Sequence, residues 1–130
     1  VENNVLSQPN FNQYNQDIFI FSQYNDGVEI MEATPSNINL LIDVAHLKVS
    51  SHSLGFSKSE FLNTLSRWIK AYHLSDNNSI ADQNKPFDKT SWFWPYLKTG
   101  LDYYSLEVYS MSEKLLCSQY NLVSEMLGVA

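Results

Sequence analysis

Each of the four apolar runs in this sequence contains an ionisable residue before its last position. These residues are Glu2, Asp43, His73 and Glu107. A charged group inside an apolar run is costly unless it is paired, binds a metal or lies at the wet end of a strand. Three carboxylates and one imidazole suit Mn²⁺, Mg²⁺, Co²⁺ or Zn²⁺ and leave coordination positions for two substrate oxygens. The four residues therefore predict a site for one divalent metal ion that binds and polarises a hydroxy-carbonyl compound.

Strands of a parallel sheet are the elements that would position these residues. The apolar runs alternate with helix-like stretches, an order that indicates an α/β fold with parallel strands. The predicted strands cover residues 1–6, 39–46, 71–76 and 103–109. Because parallel strands end at the same edge, where ligands bind, we expect the four ionisable residues to converge there. The alternation of side chains puts Asp43, His73 and Glu107 on one face, and the apolar residues between them face the helices.

Capping signals locate the helices. Ser57 precedes Glu60 by three positions, the spacing of a capping box, and apolar residues follow at helical spacing up to Ile69. Ser112 is the predicted N-cap of a last helix. Shorter helices are predicted at residues 25–31 and 92–97, and loops at residues 7–16 and 77–89. The second loop is long for a connection of this kind, which favours a functional role.

Four other residues are candidates for binding substrate. They are His46, Lys48, Asp76 and Asp82. His46 lies three residues after Asp43, where it would contact substrate or a second metal. Lys48 would neutralise a phosphate or carboxylate, or it is an ordinary solvated lysine. Asp76 is either a substrate contact or a cap, and Asp82 either reaches over the site from its loop or is solvated.

Each of these residues, taken singly, also has an ordinary structural explanation that involves no ligand. A single carboxylate near a strand end is more often solvated or a helix cap, and a single histidine is more often hydrogen-bonded in a core. Four ionisable residues at corresponding places in four successive units are harder to explain in that way. The pattern therefore favours a shared site.

Composition excludes several classes of protein. With 130 residues, 44% of them hydrophobic, the chain is long enough for one domain with a core. Eight Lys and Arg against 14 Asp and Glu give a net charge of -6, which argues against nucleic acid or an anionic membrane as a partner. Without a membrane-length apolar stretch or a recognisable signal peptide, a cytoplasmic protein is expected. The single cysteine, Cys117, excludes an intrachain disulfide and is expected to be buried.

Four motifs carry a family resemblance. They are Glu2-Asn3-Asn4, Asp43-Val44-Ala45-His46, His73-Leu74-Ser75-Asp76-Asn77 and Ser105-Leu106-Glu107-Val108-Tyr109. Together they resemble the xylose-isomerase-like TIM-barrel superfamily, which includes sugar-phosphate isomerases and epimerases and DNA-repair enzymes of the endonuclease IV type. The resemblance spans essentially the whole chain, as strands five to eight of the barrel. It implies that residues 1–130 are a single domain, the C-terminal half of a (β/α)8 TIM barrel.

The resemblance also implies a reaction. Glu2, Asp43, His73 and Glu107 look like the four ligands of the single divalent metal in the epimerase-like members, and His46 looks like the histidine that contacts the substrate. Glu2 and Glu107 would then exchange a proton with the substrate from opposite sides, through an enediolate. The implied function is a divalent-metal-dependent isomerase or epimerase of a sugar, a sugar phosphate or a related hydroxy-carbonyl compound.

A phosphodiester hydrolase is the first alternative. Relatives of endonuclease IV use three metals and carry an Asp-x-His pair in the loop after strand seven, where this chain has Asp82-Gln83-Asn84. The missing imidazole and the acidic charge favour the sugar isomerase over an enzyme that cleaves DNA.

The length of the chain suggests the second alternative, a non-catalytic half barrel. A complete barrel of this kind needs about 250 residues. The expected partner is either the missing N-terminal half barrel or a second copy in a homo-oligomer. A start inside a predicted strand, without an initiator Met, favours a piece of a longer protein.

Overall fold

Three of the four apolar runs form the strands of a parallel sheet. The computed structural model of the chain describes residues 1–129. Over these residues the strands are β1 (Leu40–Asp43), β2 (Ile69–Leu74) and β3 (Tyr103–Leu106). The helices are α1 (Gln8–Tyr14), α2 (Tyr24–Ala33), α3 (Val44–Leu54), α4 (Lys58–Leu65) and α5 (Glu113–Leu127), with 3₁₀ turns at Ser66–Trp68 and Trp94–Tyr96. Because β2 pairs in parallel with β1 on one side and β3 on the other, the predicted α/β class is confirmed.

The first apolar run is not a full strand, contrary to the prediction. It lies beside β1 and joins it through one parallel bridge between Glu2 and Leu41, and the amide of Leu41 donates to the carbonyl of Val1 at 2.9 Å. The amide of Asn4 donates instead to the carbonyl of Phe21 at 2.8 Å. The segment therefore leaves the sheet after its first residues, because its later amides find partners outside β1.

β1 ends at Asp43, and α3, which was not predicted, begins at the next residue. The predicted strand over residues 39–46 is therefore wrong at its end. The carboxylate of Asp43 caps α3 by accepting a hydrogen bond from the amide of His46 at 2.8 Å, so the strand turns into the helix without a loop. Gly55 ends the helix with a φ of 75°, a conformation that favours glycine. Both capping residues, Asp43 and Gly55, are of types that favour these positions, so the sequence itself indicates the helix ends.

The other predicted elements are present with shifted ends. β2 begins at Ile69, earlier than predicted, because α4 ends at Leu65 and a 3₁₀ turn follows it. Ser57 and Ser112 cap α4 and α5, each by accepting a hydrogen bond from the amide three residues later. α2 covers the predicted amphipathic helix. β3 ends at Leu106, three residues before the predicted end.

Two stretches differ from their predicted character. The loop predicted at residues 7–16 contains α1, which Ser7 caps and which has Pro9 in its first turn, where a missing N–H costs little. The helix predicted at residues 92–97 is the 3₁₀ turn of Trp94–Tyr96. In the part of the chain that the structure describes, β2 and β3 are therefore joined without a full α-helix.

The sheet has one covered face and one open face. Ile42, Tyr72 and Leu74 point into the hydrophobic core beneath the helices and are buried. On the opposite face Ala71 is half-buried and Tyr103 is 72% exposed. The predicted alternation of side chains is confirmed. Parallel sheets are usually covered by helices on both faces, but among residues 1–129 helices cover only one face of this sheet.

None of the helices formed by residues 1–129 is both long enough and apolar enough to cross a membrane. Cys117 is exposed, contrary to the prediction of a buried thiol. It lies on α5, whose buried residues are Gln119 and Val123, so the cysteine faces away from the core.

Candidate metal centre

The register of the sheet brings the four ionisable residues to one edge. Asp43 and His73 are paired directly across β1 and β2. Glu2 lies in the segment bridged to β1. Glu107 extends the pairing of β3 by one residue, because its amide donates to the carbonyl of Leu74 at 3.0 Å. All four side chains are therefore carried by adjacent parallel segments.

These four residues, the four-residue cluster, converge on one small volume. Each offers one ligand atom, and the four atoms lie within 4.8 Å of one another. Nδ1 of His73 is 3.2 Å from Oε1 of Glu2 and 3.3 Å from Oε2 of Glu107. It is 3.8 Å from Oδ2 of Asp43. One imidazole nitrogen thus faces three carboxylates.

Asp43 forms the buried floor of the cluster. Its side chain is 0% exposed, and Oδ1 caps α3. Oδ2 is buried and has no hydrogen-bond partner among the described residues, and the same holds for Oε2 of Glu107. A buried carboxylate oxygen without a partner is costly. A cation placed between these two oxygens would satisfy both.

Burial raises the pKa of Asp43 from its ordinary value of 3.8 to about 7. The charge of His46 counteracts this rise in part, and the neighbouring carboxylate of Glu107 adds to it. In the metal-free protein the carboxyl group of Asp43 therefore gains and loses its proton near neutral pH.

The cluster fits a divalent ion in composition and in size. Ions such as Mg²⁺ and Zn²⁺ bind carboxylate oxygens and imidazole nitrogens at about 2.0 to 2.2 Å, so two ligands on one ion lie about 3 to 4.4 Å apart. The separations of 3.2, 3.3 and 3.8 Å around His73 lie in this range. Three carboxylates also supply the charge that a divalent ion needs. Whether the four residues bind a metal stays a prediction.

His46 and Asp82 lie beside the cluster. Nδ1 of His46 is 2.9 Å from the carbonyl of Asn3. Its Nε2 is 3.4 Å from Oδ2 of Asp82 and 3.8 Å from Oδ2 of Asp43. Burial lowers the pKa of His46, but the hydrogen bond that His46 donates to Asp82 and the charge of Asp43 outweigh burial and raise the pKa to about 9. Asp82 therefore reaches the site from its loop.

Lys48 and Asp76 pair with each other. The ammonium of Lys48 is 2.6 Å from Oδ1 of Asp76 and 2.6 Å from the carbonyl of Asn77. Oδ1 of Asp76 also accepts a hydrogen bond from the amide of Asn77, and Ser91 donates to Oδ2. Asp76 was expected to be either a substrate contact or a capping residue, and these contacts favour the capping role. The binding of substrate by Lys48 and Asp76 stays a prediction.

Two residues contact the cluster that were not predicted. Asn3 is buried and exchanges two hydrogen bonds with the main chain of Asp43. The hydroxyl of Tyr109 donates to Oε1 of Glu107 at 3.2 Å, and the charge of Glu107 raises the pKa of Tyr109. Asn3 was detectable in the sequence, because a polar residue in an apolar run must be hydrogen-bonded once it is buried.

Comparisons of the chain with models of known protein families, with curated proteins and with solved structures found no match. The function is therefore inferred from the geometry of the four-residue cluster and its surroundings.

Proposed function

We propose that this protein is a divalent-metal-dependent isomerase or epimerase of a sugar, a sugar phosphate or a related hydroxy-carbonyl compound. The observation that carries the proposal is the buried Oδ2 of Asp43, which has no hydrogen-bond partner among residues 1–129 and faces three other ligand groups. Without an ion only a proton compensates this oxygen, and above about pH 7 a cluster with a purely structural role would leave it charged and unpaired at a cost to stability.

The four cluster residues would hold the ion, which when bound polarises the carbonyl and the adjacent hydroxyl of the substrate. The side chains of Glu2, His73 and Glu107 are 39%, 23% and 28% exposed, whereas that of Asp43 is 0% exposed. Substrate oxygens would therefore enter from the side opposite Asp43.

Glu2 and Glu107 are the proposed proton-transfer groups. Each places a carboxylate oxygen within 3.3 Å of Nδ1 of His73, so both act within one small volume. One carboxylate takes the proton from the substrate carbon, and the other returns a proton from the other side. The hydrogen bond from Tyr109 orients the carboxylate of Glu107.

His46 is the proposed substrate contact. The hydrogen bond between its Nδ1 and the carbonyl of Asn3 leaves Nε2 directed toward the cluster and Asp82. An N–H at this position donates to a substrate oxygen on which negative charge develops. Asp82 would keep the ring in this orientation.

The proposed setting of the site is half of a TIM barrel. The outer edge of β3 has no partner strand among residues 1–129, and exposed apolar side chains such as Tyr103 and Tyr120 accompany it. A groove of about 740 Å³ between β3 and α5 is lined by residues that include Leu106 and Leu116. The other half barrel, from a longer chain or a second copy, would pair with this edge and cover the open face.

Metal content tests the first part of the proposal. Inductively coupled plasma mass spectrometry of the purified protein should find about one divalent ion per chain, and Asp43→Ala should lose it. About three zinc ions per chain, together with incision of abasic DNA, would favour the endonuclease alternative. Absence of metal from the wild type, even after incubation with Mn²⁺ or Co²⁺, would overturn the proposed site.

Hydrogen exchange tests the reaction. The metal-loaded protein is incubated in D₂O with a panel of aldoses, ketoses and their phosphates, and incorporation of carbon-bound deuterium is followed by mass spectrometry. Glu107→Gln should abolish incorporation because it removes a proton-transfer group. Glu29→Gln, on the exposed side of α2, is the matched control and should leave it unchanged. Equal incorporation by Glu107→Gln and wild type would refute the assigned role.

A further inference from the structure

Asn3 makes a reciprocal pair of hydrogen bonds with the main chain of Asp43. Its Nδ2 donates to the carbonyl of Asp43 at 3.0 Å, and its Oδ1 accepts from the amide of Asp43 at 2.8 Å. The side chain is buried, with Asn3 only 2% exposed. Both main-chain groups of Asp43 are therefore satisfied by one amide side chain, at the residue where β1 ends and α3 begins.

The same residue also orients His46 and adjoins Glu2. The carbonyl of Asn3 lies 2.9 Å from Nδ1 of His46. The paired amide holds the Asn3 backbone against β1, so this carbonyl is held in place as well. Glu2 precedes Asn3 directly, and its carboxylate extends from the same short segment. One side chain thus fixes the backbone beneath two cluster residues and one neighbouring imidazole.

We propose that Asn3 is a positioning residue that determines the geometry of the metal centre; the proposal rests on the metal site proposed for the four-residue cluster. The segment around Glu2 has one bridge to β1 instead of a full ladder. Its place relative to Asp43 therefore depends on side-chain bonds, and the two bonds of Asn3 are the ones made at Asp43 itself. The pairing of β1 with β2 holds Asp43 beside His73, so without the bonds of Asn3 it is Glu2 that would no longer be held at ligand distance from the other cluster residues.

Gln119 provides a matched comparison for a purely structural amide. Its Oε1 accepts from the amide of Phe87 at 2.9 Å, and its Nε2 donates to the carbonyl of Phe87 at 2.9 Å. Gln119 is 6% exposed. This pair has the same chemistry and burial as the pair made by Asn3, but it joins α5 to a loop and includes no cluster residue.

The test is a Co²⁺ titration of metal-free wild type, Asn3→Ala and Gln119→Ala, read by the visible absorption of the bound ion and by thermal unfolding. Both variants should lose comparable thermal stability. Asn3→Ala should weaken Co²⁺ binding by about 10- to 100-fold, the usual effect of removing a residue that orients metal ligands, and alter the absorption bands. Gln119→Ala should retain the affinity and spectrum of the wild type. Asn3→Ser, which keeps a short polar side chain, replaces Asn3→Ala if that variant does not fold.

The outcomes separate this inference from the proposed function. If the wild type binds Co²⁺ and the Asn3 variants bind it with the same affinity and spectrum, the positioning role is wrong and the metal site stands. Equal weakening by Gln119→Ala and Asn3→Ala would also overturn the inference, because general destabilisation would then explain the loss. Failure of the wild type to bind Co²⁺ would overturn the metal site and the inference together.

Discussion

At Asp43 the requirements of binding and of stability oppose each other. One carboxylate oxygen caps α3, and the other is buried without a partner among the described residues. Folding must remove this carboxylate from water, which costs free energy unless a proton or a cation compensates the charge. We therefore expect the metal-free protein to be less stable than its core alone would allow.

Asp43→Asn should stabilise the metal-free protein in a pH-dependent way. Burial raises the pKa of Asp43 from 3.8 to about 7, so between these pH values the native protein holds a proton that the unfolded chain has released. The free energy of unfolding of the wild type therefore falls as pH rises from about 4 to about 7. Asparagine can still cap α3 and carries no charge. The free energy of unfolding gained by Asp43→Asn should therefore be about 2 to 3 kcal/mol larger at pH 8 than at pH 5. Urea denaturation in EDTA measures it, and a gain independent of pH would contradict the prediction.

The orientation of His46 by Asp82 gives a second prediction at this scale. In the metal-free protein the pKa of His46 is raised to about 9, and the largest cause that raises it is the hydrogen bond donated to Asp82. Asp82→Asn should lower this pKa toward the ordinary value of 6.5. NMR titration of the imidazole signals in EDTA checks it. Asp88→Asn, an exposed change in the same connection, should leave the pKa of His46 unaltered.

Among the secondary-structure elements, the segment that carries Glu2 is also attached to the core through Phe21. The amide of Asn4 donates to the carbonyl of Phe21, whose ring stacks on Phe61 in the core. Phe21 has a φ of 68°, which a bulky residue adopts only at a cost. The packing of Phe21 therefore contributes, together with the hydrogen bonds of Asn3, to the position of the segment beside β1.

Gly27→Ala tests this connection between packing and the site. A Cβ at position 27 would lie 2.4 Å from Cε2 of Phe21 and 2.9 Å from Cδ1 of Leu65. Overpacking costs about 1 to 3 kcal/mol, and the 2.4 Å approach to a buried ring places this substitution at about 2 to 3 kcal/mol, more than the gain in helix propensity of about 1 kcal/mol. We expect a net loss of about 1 to 2 kcal/mol in the free energy of unfolding, and weaker Co²⁺ binding because Phe21 must move.

Asn25→Ala is the control for helix propensity, since Asn25 is exposed on α2. It should leave stability equal or slightly higher and Co²⁺ affinity unchanged. A Gly27→Ala variant as stable as the wild type in urea denaturation would mean that Phe21 is not held rigidly.

For the whole molecule, the open face and the unpaired edge of β3 predict association. Tyr120 is 65% exposed beside the groove between β3 and α5. If a second copy can occupy this edge, sedimentation velocity should show concentration-dependent association, and Tyr120→Lys should shift the protein toward the monomer. Tyr96→Lys, at an exposed tyrosine elsewhere, should not. A wild-type monomer that binds metal and catalyses exchange would show that the site needs no partner chain.

Local sequence signals were sufficient for most elements and for the choice of the cluster residues. Strand alternation placed Ile42 and Leu74 in the core, and Ser57 and Ser112 marked helix starts, because these preferences act over a few residues. The segment around Glu2 was misjudged as a strand, because an apolar run does not reveal where its amides will find partners. Around Asp43 the sequence carries both a strand pattern and a helix-capping residue, and in the structure the strand ends at Asp43, which caps α3.

Only the folded chain decided how distant residues meet. The amide of Asn3 reaches Asp43 across 40 residues of sequence, and Asp82 reaches His46 from a later loop. The pairing of Lys48 with Asp76 was likewise invisible in the sequence. Such contacts depend on strand register, on the path of loops and on side-chain rotamers, which become fixed together when the core packs. The residue types and their spacing therefore determined which groups are available for chemistry, and tertiary packing determined which of them face one another.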